Sequence, residues 1–131
     1  RGVPESFAKA IEWHRKAAEQ GLADAQSHLG YLYAVGETVE EADPSEAAKW
    51  FLRAAENGVV NAQFQIGVFL ARGDGVEQDV VEGYKWLHIA SFRKHKGAQT
   101  AREELRGHMS SAQITEAQTR SGEYIAKQRQ K

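Results

Sequence analysis

The chain contains no cysteine, and that one absence removes disulfide staples, thiolate metal sites, iron–sulfur ligation and a cysteine nucleophile together. The redox compartment stays open. It also lacks any apolar run near the roughly 18 or more residues that a membrane-spanning helix needs, and no basic start leads into an apolar signal core. A soluble chain without membrane insertion is therefore expected. It begins at Arg1 rather than methionine, which reads as a processed product or an excised fragment. The compartment is not legible.

An excess of one charge sign is nearly absent overall but not locally. The net charge of −1 divides into 8 Lys+Arg against 14 Asp+Glu over residues 1 to 91, and 9 against 4 over residues 92 to 131. The halves carry −6 and +5, so the molecule is dipolar. Solvated helix faces account for such runs more simply than a nucleic-acid surface does, and no nucleic-acid partner is expected.

With 131 residues, 41% of them hydrophobic, the chain can bury the core of one ordinary domain without a staple. Self-comparison then shows a repeat. Trp13, Trp50 and Trp86 recur at steps of 37 and 36, while Gly21/Gly58, Ala25/Ala62, Gly30/Gly67 and Gly36/Gly73 keep a step of 37. In unit one Ala10, Trp13, Ala17 and Ala18 share one helical face until Gly21 stops it. A second helix from about Ala23 to Val35 turns Ala25, Leu29 and Tyr33 inward, and Gly36 ends it.

Unit two follows the same plan, with Asp43 and Pro44 as cap and first-turn residue. Unit three keeps Trp86 and Ala90 but runs three residues longer before Gly97, so that Ala101, Leu105 and Met109 stand for Ala25, Leu29 and Tyr33. Ser110 and Gln113 have the spacing of a capping box ahead of a last helix, whose Ile114, Ala117, Tyr124 and Ile125 form an apolar stripe. That helix is expected to lie as a lid over the open end of unit three. The organisation expected is all-α: a solenoid of three helix-turn-helix repeats, residues 1–36, 37–73 and a degenerate 74–109, closed by a capping helix over 110–131.

The run from Lys9 to Gly21, KAIEWHRKAAEQG, followed by Ala23-Asp24-Ala25-Gln26, Leu29-Gly30 and Tyr33 to Gly36, closely resembles the Sel-one-like repeat, a relative of the tetratricopeptide repeat. It recurs over Ala47 to Gly73 and partly over Gly75 to Ala90, and Ser110 to Gln128 is similar to the closing helix of bacterial members. The resemblance implies a right-handed α/α solenoid acting as an adaptor in protein complexes, most often bacterial. It implies no reaction and no cofactor. Departures are Phe69-Leu70 where unit one has Leu32-Tyr33, and Arg106 at the position read as equivalent to Gly30.

The residues themselves offer little catalytic chemistry. Ser6-Phe7-Ala8-Lys9 and Ser91-Phe92-Arg93-Lys94 have the S-x-x-K spacing of penicillin-interacting serine enzymes, without their companion motifs. A penicillin-type hydrolase or ligand-binding protein is the alternative they keep open. His14, His28, His88, His95 and His108 show no i,i+3 or i,i+4 pair, so no zinc site is expected. Glu37, Glu40, Glu41 and Asp43 lack the alternating ligands and central glycine of a calcium loop. The three tryptophans read as core rather than as a stacking platform.

A partner surface is easier to place. At 100° per residue the second helix of unit one sends Asp24, Ser27, Tyr31 and Ala34 away from its buried side. Carried along the repeat, the face gains Asn61, Phe64, Val68, Ala71 and Arg72 in unit two, and Thr100, Glu103 and Gly107 in unit three. Large apolar groups at Tyr31, Phe64 and Val68, rimmed by Asp24, Asn61, Arg72 and Glu103, suit a concave groove for a peptide or helix of another protein. The competing reading is that neighbouring helices, or repeats of a longer solenoid of which this chain is the C-terminal end, cover the same face.

Overall fold

The computed structural model describes residues 5–35 and 42–130, and four of its helices start from a capping side chain. The order is α1 (Glu5–Glu19), α2 (Ala23–Val35), α3 (Pro44–Glu56), α4 (Val60–Arg72), α5 (Val80–Phe92), α6 (Lys96–Arg106) and α7 (Ser111–Arg129). No strand occurs among the described residues. Asp43 accepts from the amide of Glu46 at 3.1 Å ahead of Pro44, and Asp79 accepts from that of Glu82 at 3.0 Å, so α3 and α5 share one capping chemistry. Ser110 and Gln113 close the reciprocal capping box at the head of α7. Gly36, the acidic loop Glu37 to Glu41, the start Arg1 to Val3 and the side chain of Ser6 lie outside the described residues.

Consecutive helices pack as hairpins that stack, giving an all-α repeat solenoid. Its main core holds Leu29, Tyr33, Trp50, Phe51, Ile66, Trp86 and Ile89, with buried alanines between them. A second cluster under unit three gathers Leu87, Ala90 and Ala98, with Phe64, Val68 and Leu105 against it. The glycine column is what lets one unit meet the next. A Cβ on Gly30 would stand 2.7 Å from Phe51 Cδ1, and one on Gly67 would stand 2.8 Å from Leu87 Cγ. Each glycine thus opens a slot on the second helix of a unit for a large side chain of the following first helix.

The register of unit three differs from the expectation. The turns after α1, α3 and α5 fall at Gly21 (φ 95°), Gly58 (φ 91°) and Lys94 (φ 65°), steps of 37 and 36, with no three-residue extension; Gly97 lies inside α6. A glutamine column confirms it: the Nε2 of Gln26, Gln63 and Gln99 donates to the carbonyl of Ala18, Ala55 and Ser91 respectively, eight residues earlier each time. In this register Ala98 answers Ala25 and Ala62, Arg102 answers Leu29 and Ile66, and Glu103, not Arg106, stands in the glycine column. Lys94 hid the turn because the left-handed region favours glycine but admits other residues at modest cost.

The consequence is architectural. Where α2 and α4 offer an aliphatic side chain and a slot, α6 offers Arg102 and Glu103, ion-paired at 3.1 Å, with Glu103 exposed. A further first helix packed on α6 would have to bury that pair. Helix α7 instead packs chiefly against α5, running parallel to it. Arg120 bonds Glu82 at 2.7 Å, Ser121 Oγ donates to the Lys85 carbonyl at 3.3 Å, and the Tyr124 ring meets Trp86 edge-on at 5.1 Å. Helix α7 sits on the first helix of unit three rather than over its open end, leaving Leu105 to its own cluster.

Trp13 also departs from expectation, being 74% exposed while Trp50 and Trp86 are buried. The Tyr124 ring of α7 lies against Trp86. Helix α1 packs chiefly against α2, and nothing among the described residues closes over Trp13.

Candidate functional site

The face drawn from Asp24, Ser27, Tyr31, Asn61, Phe64, Val68, Arg72 and Glu103 runs along the second helices, and the structure divides it into three parts. On α2, Asp24 is exposed, Ser27 half-buried, and Tyr31 remains 47% exposed. The Tyr31 ring leans edge-on against Phe51 at 5.9 Å, and its hydroxyl accepts from Gln65 Nε2 at 3.5 Å across the unit boundary. Asp24 and Ser27 are brought to no other member of the face.

The middle part is closed by a residue that periodicity did not single out. His95 caps α6 by accepting the Ala98 amide on Nδ1 at 3.0 Å, and its Nε2 bonds Asn61 Oδ1 at 3.1 Å. The same imidazole stacks on Phe64 with centroids 4.7 Å apart. Asn61 and Phe64 therefore belong to the junction between α4 and α6. The phase of His95 could have been read from the Gln63/Gln99 column, which places it as the counterpart of Val59.

The third part is a cleft of about 340 Å³, lined by Val68, Ala71, Arg72, Leu87, Ala101, Glu104, Leu105 and His108. Of the residues named from sequence it holds Val68 and Arg72; Glu103 points its charge to Arg102 and does not line it. The walls pair an aliphatic floor with one cation, one acid and an imidazole. That chemistry suits a mixed apolar and polar side-chain surface rather than a reaction.

Of the two S-x-x-K pairs only Ser91 and Lys94 lie among the residues whose side chains are described, and they are not arranged as nucleophile and base. Ser91 Oγ donates to the His88 carbonyl at 2.7 Å and accepts from Arg102 Nη1 at 2.8 Å, while Lys94 lies past the end of α5 in the left-handed turn. No group of three or more His, Cys, Asp or Glu could hold a metal ion among the described residues. The fold does make one histidine pair that local spacing could not show, His14 and His28, with ring centroids 4.2 Å apart across the α1–α2 hairpin. Burial and then the His28 charge hold His14 below the ordinary histidine value.

His88 is held low as well, by burial first and then by the charges of Arg102 and Arg106. Its ring is stacked on Tyr84 at 5.7 Å and tilted against Phe92 at 4.7 Å. The folded state resists a proton that the unfolded chain accepts near pH 6.5, so folding stability falls as pH drops below about that value. A melting series from about pH 7.5 to about pH 5.5 is expected to show this decline, and His88→Gln to flatten it. An unchanged slope in the variant would remove His88 from the account.

No helix among the described residues is long and apolar enough to cross a membrane. No curated protein matches the chain. Solved structures do: a protective antigen of uropathogenic Escherichia coli strains, c5321, described as displaying an SLR fold, is similar at 35% identity and a TM-score of 0.86 over 95% of this chain, which spans only 27% of that one. A Sel1 repeat protein from Oxalobacter formigenes is similar at 35% identity and a TM-score of 0.69, covering 74% of this chain and 72% of its own. The Sel1 repeat family model matches residues 1–22, 23–59 and 60–91. Its second and third matches each join a second helix to the first helix that follows, the pairs locked by Gly30 with Phe51 and Gly67 with Leu87. On the repeats matched along residues 1–91 and the fold they share with these structures, the chain belongs to the Sel1 repeat family.

Proposed function

We propose that this chain is a protein-interaction adaptor in a bacterial regulatory or envelope complex, and that it holds a peptide or helix of its partner on the face made by α2, α4 and α6. Sel1 repeat proteins are generally protein-interaction modules. The finer reading rests on one observation: along this face an exposed aromatic, Tyr31, and the aliphatic cleft at Val68 and Arg72 stay open although the units around them are fully packed. A desolvated anchor with a polar rim is how interaction surfaces concentrate their binding energy.

The test replaces only exposed groups. Wild type and a Tyr31→Ala, Arg72→Ala double variant, immobilised separately, are incubated with bacterial lysate and the retained proteins compared quantitatively. A partner retained by wild type and lost from the variant is expected. Identical recovery from both, with equal melting temperatures, would show that this face does not hold the partner.

A further inference from the structure

A larger cavity lies on the opposite side of unit three, where α7 folds against α5. Its volume is about 640 Å³, within the range of ligand-binding pockets, and its lining includes Gln63, Ile89, Phe92, Arg93, Ile125 and Arg129. Three aliphatic or aromatic side chains give it an apolar interior, and Phe92 is 63% exposed at its edge. Two guanidinium groups line it and no carboxylate does. Arg93 donates to the Gly58 carbonyl, a neutral acceptor, and Arg129 makes no ion pair among the described residues.

Gln63 adds a third requirement. It is almost completely buried, with Nε2 donating to the Ala55 carbonyl at 3.2 Å and in contact with Tyr124 Oη at 3.3 Å, yet Oε1 has no hydrogen-bond partner. An unpaired buried acceptor is costly, and what it lacks is a donor such as a backbone N–H. Both of its arginines belong to residues 92 to 131, the part of the chain that carries the +5 excess.

We infer that this α5–α7 cavity receives a linear segment of a partner protein that inserts one large apolar side chain flanked by carboxylates. The apolar interior takes the side chain, and Arg93 and Arg129 take the acids. The inference rests on the chain's being an interaction module but uses a different face from Tyr31 and Arg72, so the two fail separately.

The probe is a random peptide library displayed on phage and selected on the intact chain, followed by anisotropy with the enriched peptides. The expected consensus is an aromatic or leucine beside Asp or Glu, with affinity falling at least about tenfold in Phe92→Ala, Arg129→Glu and declining with added salt. Both residues are exposed, so folding is preserved, and helical content by circular dichroism checks it. Binding that survives Tyr31→Ala, Arg72→Ala while vanishing in the first variant assigns the peptide to this cavity. Enrichment of peptides without acids, equal affinity for wild type and the first variant, or no enrichment over bare surface would each overturn the inference.

Discussion

Ending the chain at Met109 is expected to lower the melting temperature by on the order of 10 °C or more, or to cause aggregation at ordinary concentrations. Helix α7 contributes buried Ala117 and Ser121 and the Tyr124 ring that closes Trp86 into the main core. Uncovering a large aromatic and removing its cover costs roughly 1.5 to 3 kcal/mol for each such side chain, set against about 5 to 15 kcal/mol for a whole domain. The Tyr124 hydroxyl also donates to the Ala55 carbonyl at 3.0 Å, tying the lid to the end of α3. The Arg120–Glu82 pair is partly exposed and contributes less than the covered rings. Scanning calorimetry of both chains decides the matter. A truncated protein that stays monomeric and melts as wild type would make residues 110–131 a docking tail rather than part of the core.

Gly75→Ala is expected to be the most damaging glycine-to-alanine change among the described residues, costing roughly 2 to 4 kcal/mol. Gly75 has φ of 69°, where alanine is strained, and its loop lies directly on the start of α3. A Cβ would stand 2.3 Å from the carbonyl carbon of Pro44 and 2.5 Å from the amide of Ser45. These are backbone atoms at a capped helix start, so they cannot rotate aside as a side-chain tip does. Gly58→Ala separates the two causes, because Gly58 has φ of 91° with nothing within 4 Å of the added methyl. It should lose only the conformational part, about 1 kcal/mol. Urea midpoints for the two variants test the contact; equal losses would mean that the approach to Pro44 contributes nothing.

The candidate face was only partly legible. The wheel for α2 placed Tyr31 outward and Leu29 and Tyr33 inward, as the structure has them, because one helix decides that by itself. The error at unit three began with a single residue. Gly97 looked like the turn glycine while Lys94 made the turn, which shifted Glu103 from the glycine column to the groove. The columns Ala25/Ala62/Ala98 and Gln26/Gln63/Gln99 were in the sequence and carry the right step; they were outweighed by glycine as a marker. No periodicity could show His95 against Phe64, or the α5–α7 cavity, since each joins side chains from helices whose spacing is set only on packing.

By itself the sequence determined the repeated helical hairpins and the caps at Asp43 and Ser110, because those follow from interactions within a turn or two and from a glycine repeated at a fixed step. Only the tertiary structure decided where α7 goes, that Trp86 is covered and Trp13 is not, and that the larger cavity opens beside Arg93 and Arg129. An apolar stripe fixes that a helix must be covered but not by what, and the choice falls to whichever surface offers the better-packed partner, here α5 over the charged flank of α6.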